Sequence, residues 1–290
     1  MDNRPKLILL VGISGTGKTT YAKQYVDEHS NTIHLSSDEI RAELWGDPSI
    51  QDNPHEVFSL MQKRAVEALN NGQNVVYDCT SITRKDRAGI ISVCPKFVKI
   101  ECHVVWAPIE TCIERDSARD RSVGKEVIDR MLKRFQAPFY DEGIDDIQVI
   151  RPDDFDQWEY VAYIERTLDI PHDNPHHSLD IKKHCVAAFN RAVANDYDEN
   201  LCIAALYHDA GKPYVKAFVD AKGNPCETAH YYQHHCLGAW MSYGINQDPE
   251  IAWLISTHMD VFLNTKYYNN LPAYLKKRVD QLHACDVAAH

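Results

Sequence analysis

The stretch KLILLVGISGTGKTT, residues 6–20, decides the fold of the first half of the chain. It opens with a short apolar run that leads into a glycine-rich turn, the pattern of a buried parallel strand, and residues 18–29 continue with helical spacing. GISGTGKT at 12–19 fits the P-loop pattern G-x-x-x-x-G-K-[ST] in this strand–loop–helix context. Its glycines let backbone N–H groups surround phosphate oxygens, and the helix N-terminus faces the same anion. We therefore expect a site for ATP, or for another nucleoside triphosphate, with Mg²⁺.

Two side chains of this loop have specific expected roles. Lys18 should reach the β- and γ-phosphates, and Thr19 should coordinate Mg²⁺. The residues predicted to bind the nucleotide are Gly12, Ser14, Gly15, Thr16, Gly17, Lys18, Thr19 and Thr20.

The rest of the first half alternates between strand-like and helix-like segments. Residues 74–79 and 100–107 are further strand candidates, and the stretches around 54–71 and 108–120 have helical spacing. Such alternation predicts an α/β domain with a mostly parallel sheet. The pattern stops at VIRPDDFDQW, residues 149–158.

From about residue 172 onward the strand-like runs disappear, which predicts an all-helical second half with a looser region at 213–232. The predicted helices are 178–195, 198–211, 248–259 and 273–289. We place the first domain at 1–152, a linker at 153–171 and the second domain at 172–290.

The composition is that of an ordinary soluble protein, with 44% hydrophobic and 25% charged residues. No apolar run is long enough to span a bilayer, and the amino terminus has no signal-peptide pattern. Nine cysteines without a CxxC pair indicate reduced thiols, so we expect a cytoplasmic protein without a membrane partner. A net charge of −11 argues against a broad surface that coats nucleic acid, but not against a pocket for a strand end. Of the 15 histidines, 11 follow residue 170, which suggests two functional halves.

Three polar residues follow the predicted strands of the first half. Asp38 in HLSSDEIRAEL could lie beside the transferred phosphoryl group and accept the proton of an attacking hydroxyl. Arg41, one helical turn later, could bind an acceptor phosphate. The alternative is an N-capping Asp with a solvated Arg. Asp78 ends the strand VVYDC, where it could support Mg²⁺ or orient the acceptor, or could simply cap the strand end.

A basic segment at 115–134 offers arginines for the transferring phosphoryl group. Arg115 and Arg119 are four residues apart, so a helix would place both on one face and close it over the phosphates as a lid. Arg121 lies on the same segment. A solvated basic helix is the competing interpretation.

With these motifs, residues 6–140 resemble the polynucleotide 5′-kinase family. The resemblance implies that Asp38 is the general base, that Arg41 binds the phosphate beside the acceptor 5′-OH, and that Arg115 and Arg119 are lid arginines. Zeta-type and small-metabolite kinases share parts of the pattern.

The second half contains LYHDAGK, residues 206–212, in which His208 and Asp209 are adjacent on an otherwise apolar helix. Buried polar groups need partners, and this pair offers two ligands for a divalent metal. One such dipeptide is weak, but further helices each supply a candidate ligand, which makes a set of unrelated core histidines an improbable explanation. The additional candidates are His184, His234, His235, His258 and Asp286.

The order H…HD…H…H…D resembles the HD phosphohydrolase superfamily over about residues 172–290. The resemblance implies a core site of His184, His208, Asp209 and Asp286, with a second metal supported by His234 and His258. His234 fits the family pattern H-x-x-x-[GS]-A better than His235. Lys212 would lie beside the metals and bind a phosphate, and His176 and His177 are secondary candidates for substrate contact. The implied cofactors are one or two divalent transition metals such as Mn²⁺, Ni²⁺, Co²⁺, Cu²⁺ or Zn²⁺.

Together the two halves resemble the HD-domain polynucleotide kinases, a P-loop kinase domain followed by an all-α HD-type phosphohydrolase domain. These enzymes phosphorylate 5′-OH ends and remove 3′-phosphate or 2′,3′-cyclic phosphate ends of RNA or DNA, which prepares the ends for a ligase. Two alternatives remain open. One is a small-metabolite kinase joined to an HD nucleotide hydrolase. The other is a nucleotide-sensing regulatory protein in which the HD half only binds a ligand.

Overall fold

The computed structural model describes residues 4–175 and 178–289. The chain divides into two compact units. The first contains the residues up to Met131 together with Pro138–Pro152, and the second contains Leu132–Ala137 together with the residues from Asp153 onward.

A parallel sheet forms the centre of the first unit. Its strands are β1 (Lys6–Val11), β2 (Thr32–Ser36), β3 (Asn74–Asp78), β4 (Lys99–Val105) and β5 (Asp146–Ile150). They lie in the order β2-β3-β1-β4-β5, and every neighbouring pair is parallel. β1 lies in the middle, and Leu7 to Val11 are fully buried, as the apolar run predicts. The prediction of a parallel α/β domain is confirmed.

Helices alternate with these strands. They are α1 (Lys18–Glu28), α2 (Ser37–Trp45), α3 (Pro54–Asn70), α4 (Arg84–Ile91), α5 (Ile109–Ser117) and α6 (Lys125–Leu132). Because all strands of a parallel sheet end at one edge, the loop after β1, the start of α2 and the end of β3 meet there. This edge positions the candidate site of the first unit.

Helices dominate the second unit. They are α7 (Gln157–Thr167), α8 (Ile181–Ala194), α9 (Glu199–Tyr207), α10 (Lys212–Val215), α11 (His234–Ile245), α12 (Pro249–Thr257), α13 (Asp260–Leu263), α14 (Thr265–Asn270) and α15 (Ala273–Val287). Aspartates at 180, 198 and 248 begin three of them, each accepting a hydrogen bond from a backbone N–H of the first turn. Pro249 follows at the first helical position, as expected.

The second unit is not entirely helical, which corrects one expectation. The looser region at 213–232 contains an antiparallel pair, β6 (Ala217–Val219) and β7 (Pro225–His230). The turn between the strands is closed by Asp220, whose carboxylate accepts from the backbone N–H groups of Lys222 and Asn224. The sequence indicates a looser region here but not the two short strands within it.

Two segments join the second unit from outside the predicted helical half. In Leu132–Ala137, the ring of Phe135 packs edge-on against Trp240 at 5.2 Å, and the Ala137 N–H donates to Ser256 Oγ at 3.3 Å. The predicted linker at 153–171 contains α7, whose Tyr160 and Ile164 are buried. The second unit therefore includes chain on both sides of Pro138–Pro152.

Two expectations about the whole chain concern membranes and thiols. Within residues 4–175 and 178–289, no helix combines the length and the apolar character needed to cross a membrane. All nine cysteines lie in the described part of the chain and are free thiols.

Candidate active sites

The P-loop adopts a conformation that only glycine tolerates at Gly15. Its φ is 87°, and an added Cβ would lie 2.1 Å from the carbonyl oxygen of Cys112. Any larger residue would push the loop away from α5. Lys18 Nζ donates to the carbonyl oxygen of Ile13 at 2.8 Å, and Thr16 Oγ1 donates to the same oxygen at 3.2 Å. Burial lowers the pKa of Lys18, and the charge of Asp78 partly offsets this effect.

Thr19 and Asp78 come together as the sequence suggested. Thr19 Oγ1 donates to Asp78 Oδ2 at 2.9 Å, and His34 Nε2 lies 3.0 Å from the same oxygen. A hydroxyl and a carboxylate are oxygen ligands of the kind Mg²⁺ prefers, so their chemistry fits this ion beside the P-loop. His34 was missed because its place depends on the register of β2 against β3, where Ser36 pairs with Asp78.

Asp38 and Arg41 face one another at the start of α2. Arg41 Nη1 donates to Asp38 Oδ1 at 2.9 Å; the arginine is 7% exposed, whereas the aspartate side chain is 61% exposed. The alternative that Asp38 caps the helix is wrong, because Ser36 is the N-cap and its Oγ accepts from the N–H groups of Asp38 and Glu39. The Asp38 carboxylate is therefore free of a capping role.

One open cavity of about 380 Å³ brings these groups together. One wall is the P-loop with Lys18 and Thr19, and another carries Asp38, Arg41 and Asp78. Apolar side chains complete the lining, namely Phe58, Val123 and Met131. The cavity is thus lined by phosphate-binding groups, a carboxylate and an apolar region.

The basic segment differs from the expected lid helix. Arg115 and Arg119 do not share a helix face, because α5 ends at Ser117. Arg119 and Arg121 line the cavity, whereas an Arg115 guanidinium nitrogen lies 4.0 Å from the position of a Cβ on Gly17. Three cations still surround the phosphate-binding loop.

Asp116, which the sequence reasoning did not single out, explains why the helix ends there. Its Oδ2 accepts from Ser122 Oγ and from the N–H groups of Val123 and Gly124, and its Oδ1 accepts from Ser14 Oγ. Burial would raise the pKa of this carboxyl, but the hydrogen bonds outweigh burial and lower the pKa. Asp116 therefore ties the arginine-bearing loop to the P-loop.

The second unit gathers the predicted metal ligands into two adjacent clusters. Within the described residues, the groups with metal-ligand spacing are His184, His208 and Asp286, and Asp209, His234 and His258. Four of them, His184, His208, Asp209 and His258, are 1% exposed. They come from α8, the end of α9, the start of α11, the end of α12 and α15. Five distant parts of the chain thus converge.

Asp209 lies between the two clusters. Its Oδ1 is 3.3 Å from His234 Nε2, and its Oδ2 is 3.4 Å from His208 Nε2 and 3.6 Å from His184 Nε2. Burial alone would raise the pKa of Asp209, but the charges of His208 and Lys212 outweigh it and hold the pKa well below its usual range. An ionised carboxylate in this position can bridge two cations.

The tautomers of three histidines indicate that cations fit the clusters. The Nδ1 atoms of His208, His234 and His258 lie 2.8–2.9 Å from backbone carbonyl oxygens, so each Nδ1 donates to a carbonyl oxygen and each Nε2 is the ring atom left to bind a metal in place of a proton. Yet His234 Nε2 and His258 Nε2 are only 3.2 Å apart. Two ring nitrogens this close share either a proton or a metal ion. Two nitrogens bound to one tetrahedral metal lie about 3.3 Å apart, which is close to the spacing found.

His184 completes the first cluster with Asp286. His184 Nε2 is 2.9 Å from Asp286 Oδ1 and 3.3 Å from His208 Nε2. Burial would raise the pKa of Asp286, but hydrogen bonds from His184 and His208 hold it below its usual range. Two imidazoles and carboxylates form a donor set suited to a divalent transition metal.

Lys212 lies beside the clusters. Its Nζ is 2.6 Å from Asp209 Oδ2 and 3.2 Å from His172 Nε2, and it is 5.3 Å from the ring centre of Tyr231. His172 is buried, with Nδ1 2.6 Å from the carbonyl oxygen of Leu179; burial lowers its pKa to about 4. The Tyr231 hydroxyl donates to the His172 carbonyl oxygen. Neutral His172 can thus accept from the ammonium group. Sequence spacing gave no sign of His172, which precedes the first predicted helix.

His234 and His235 differ in their geometry. His234 Nε2 belongs to the second cluster, and among the described residues His235 belongs to neither. Gly211 permits this arrangement, because a Cβ there would lie 2.1 Å from the carbonyl oxygen of His234. His176 and His177 lie outside the described residues.

Comparisons with known proteins identify two segments. Residues 7–138 match the AAA domain family, and residues 176–289 match the HD domain family. No curated protein sequence is detectably similar to the chain.

Three solved structures are similar to part of this chain. The Pnkp1/Rnl/Hen1 RNA repair complex is 23% identical over 46% of this chain and 45% of that chain, with a TM-score of 0.42. A gluconokinase from Sinorhizobium meliloti 1021 is 14% identical over 52% of this chain and 85% of that chain, with a TM-score of 0.37. A fungal RNA kinase is 14% identical over 58% of this chain and 87% of that chain, with a TM-score of 0.38.

The chain spans less than half of the length of the RNA-repair chain that it matches. Likenesses this remote establish no shared activity or substrate. The two family matches and the geometry agree on the domains themselves. The chain consists of an AAA domain with a P-loop, followed by a helical HD domain.

Proposed function

We propose that the protein is a bifunctional enzyme that heals nucleic-acid ends. Its P-loop domain phosphorylates the 5′-OH of a polynucleotide, and its HD domain removes a 3′-phosphate or opens a 2′,3′-cyclic phosphate. The products are the ends that a ligase joins. The observation that carries this proposal is the presence in one chain of a cavity lined by the P-loop and a carboxylate and of two histidine–aspartate clusters with Asp209 between them.

In the proposed kinase reaction, the acceptor 5′-oxygen bonds to the γ-phosphorus of ATP as the bond to the β-phosphate oxygen breaks. Asp38 accepts the proton of the hydroxyl, and Arg41 holds the acceptor phosphate while orienting Asp38 through their 2.9 Å hydrogen bond. Lys18, Arg119 and Arg121 stabilise the charge on the transferring group. Bound beside Thr19 and Asp78, Mg²⁺ would neutralise charge on the phosphates.

In the proposed phosphatase reaction, a water oxygen bonds to phosphorus as the bond to the 3′-oxygen breaks, and one proton of the water passes to the leaving 3′-oxygen to give the 3′-OH. His184, His208, Asp209 and Asp286 would hold one divalent metal, and His234 and His258 would hold a second with Asp209. Such metals supply Lewis acidity and an activated water at neutral pH. Lys212 binds a phosphate oxygen and is held in place by His172.

An oligonucleotide with a 5′-OH and a 3′-phosphate tests both activities in one assay. The protein is incubated with ATP, Mg²⁺ and a panel of Mn²⁺, Ni²⁺, Co²⁺, Cu²⁺ and Zn²⁺, and both ends are analysed. We expect Asp38→Ala to abolish 5′-phosphorylation and to leave release of the 3′-phosphate near wild type. His208→Ala should do the reverse. Loss of both activities in either variant contradicts independent sites.

Two other results would replace the proposal. Phosphorylation of a mononucleoside but not of an oligonucleotide would indicate a small-metabolite kinase. Kinase activity with no phosphate release under any metal would indicate an HD half that only binds ligands. The same assay therefore tests the acceptor, the metals and the roles of the residues.

A further inference from the structure

The metal-ligand clusters are most accessible to solvent at Asp286. The other candidate ligands are 1–7% exposed, whereas the Asp286 side chain is 20% exposed. Solvent therefore reaches the clusters most readily beside the carboxyl-terminal end of α15.

A pair of exposed apolar residues lies beside this end. Phe262 and Leu263 on α13 are 62% and 59% exposed, and they follow the candidate ligand His258 by four and five residues. The Phe262 ring is 5.2 Å from the ring of His283, at an angle of 75°. His283 precedes Asp286 by three residues on α15, so the two share a helix face. Phe262 and His283, which we name the aromatic ledge, thus come from two elements and lie within one helical turn of Asp286 on α15.

The ledge has the chemistry of a base-stacking surface. Unpaired bases stack on Phe and His side chains in proteins that bind single-stranded nucleic acid. Such stacking tolerates any base, because every base has an aromatic face. It also needs no basic surface, which suits a chain with a net charge of −11.

We propose that the aromatic ledge stacks the terminal base of a polynucleotide whose 3′-phosphate lies at the HD-domain clusters. This inference rests on the proposed function and names the part of the substrate that the domain recognises. The ledge orients the last nucleotide so that its 3′-phosphate faces Asp209 and Lys212. The terminal base must be unpaired to stack there, so single-stranded ends are the preferred class.

The test combines a protein change with a substrate change. Release of phosphate is measured for wild type and Phe262→Ala with two 3′-phosphorylated oligonucleotides, one with a normal terminal base and one with an abasic terminal residue. Tyr274→Ala is the matched control, since Tyr274 is 68% exposed on the same helix as Asp286 but about 18 Å away along its axis.

We expect Phe262→Ala to raise KM for the normal oligonucleotide about 5- to 150-fold with kcat nearly unchanged, which corresponds to the loss of one stacked base. Removing the base should raise the wild-type KM similarly, and the two losses should not add. Tyr274→Ala should match wild type. A terminal 2-aminopurine should be quenched on binding to wild type but not to Phe262→Ala, which tests stacking without turnover.

Several results would overturn the ledge. One is that Phe262→Ala has the same KM and the same 2-aminopurine quenching as wild type. Another is that Phe262→Ala raises KM equally for the normal oligonucleotide and for the abasic oligonucleotide or p-nitrophenyl phosphate. A shift in sedimentation with no dependence on the base would instead identify a self-association surface. If wild type hydrolyses p-nitrophenyl phosphate but neither binds nor hydrolyses the oligonucleotide, the proposed substrate class fails and the ledge with it.

Discussion

Replacing Asp209 by Asn should weaken metal binding at both clusters of the HD domain. The carboxylate is 1% exposed, and its two oxygens face different clusters, Oδ1 toward His234 and Oδ2 toward His208. An amide of the same size has one oxygen and no charge. One cluster therefore loses the Asp209 oxygen, and both lose its negative charge, although Asp286 remains at the first cluster.

The size of the effect follows from the place of Asp209. Changing a residue that only supports a metal ligand costs about 10- to 100-fold in affinity or activity. A carboxylate between two cations should cost at least the upper end of this range at each cluster, or about 2.7 kcal/mol per metal. We expect a fall of about 1000-fold or more in phosphate release, because both metals take part in the proposed reaction.

Metal titration by calorimetry, with bound metal counted by elemental analysis, measures this directly. Asp286→Asn is the matched control, because Asp286 Oδ1 contacts His184 and His208 in the first cluster alone. It should weaken one binding step and leave the other near wild type. If Asp209→Asn also weakens only one step, the bridging role inferred for Asp209 is refuted.

Three further predictions concern other buried contacts. Asp116→Asn should raise KM for ATP, because it releases the loop that carries Arg119 and Arg121. Since the pKa of Asp116 is lowered in the folded protein, its contribution to stability is present above about pH 4 and is lost as pH falls through the folded pKa. The free energy of urea unfolding of the variant should therefore change less than that of wild type below about pH 4. His172→Phe and Lys212→Met should each lower the phosphatase kcat about 10- to 100-fold and leave the metal content unchanged. If His172 acts through Lys212, the double variant should have a kcat no lower than that of the less active single variant. Arg87 is buried and donates two hydrogen bonds to the carboxylate of Glu142. Arg87→Met should lower the free energy of urea unfolding by about 3–5 kcal/mol, because it leaves the Glu142 carboxylate buried without its cation. The double variant Arg87→Met/Glu142→Leu should recover most of this loss, and additive losses in the double variant would contradict the prediction.

The sequence predicts the first domain well because its signals are local. The apolar run before the P-loop and the helical spacing after it lie within fifteen residues, and the structure has β1 and α1 there. The residues at which a helix ends are harder to predict, as α5 shows. Arg115 and Arg119 fit one helix by spacing alone, but the side chain of Asp116 draws the following loop back and ends α5 first.

Contacts between distant segments could not be predicted in this way. The candidate ligand types are visible because histidine and aspartate are rare on apolar helices. Which atoms meet depends on how five segments pack. His172 is separated from Lys212 by 40 residues, and His34 from Asp78 by 44. No periodicity in the sequence connects such pairs. The sequence therefore indicates Lys212 and Asp78 but not His172 and His34, which contact them.

The distribution of charge is consistent with the proposed action on the ends of a strand. The chain is acidic as a whole, yet cations are concentrated where a phosphate would bind, with Lys18, Arg41, Arg119 and Arg121 around one cavity and Lys212 beside the other site. A protein that binds along a nucleic acid neutralises many phosphates and needs an extended basic surface. The overall negative charge would repel a strand of the proposed kind, and attraction would be confined to two small sites. This arrangement favours a phosphate or hydroxyl at a terminus, where one or two groups enter a pocket, over any phosphate in the interior of a chain.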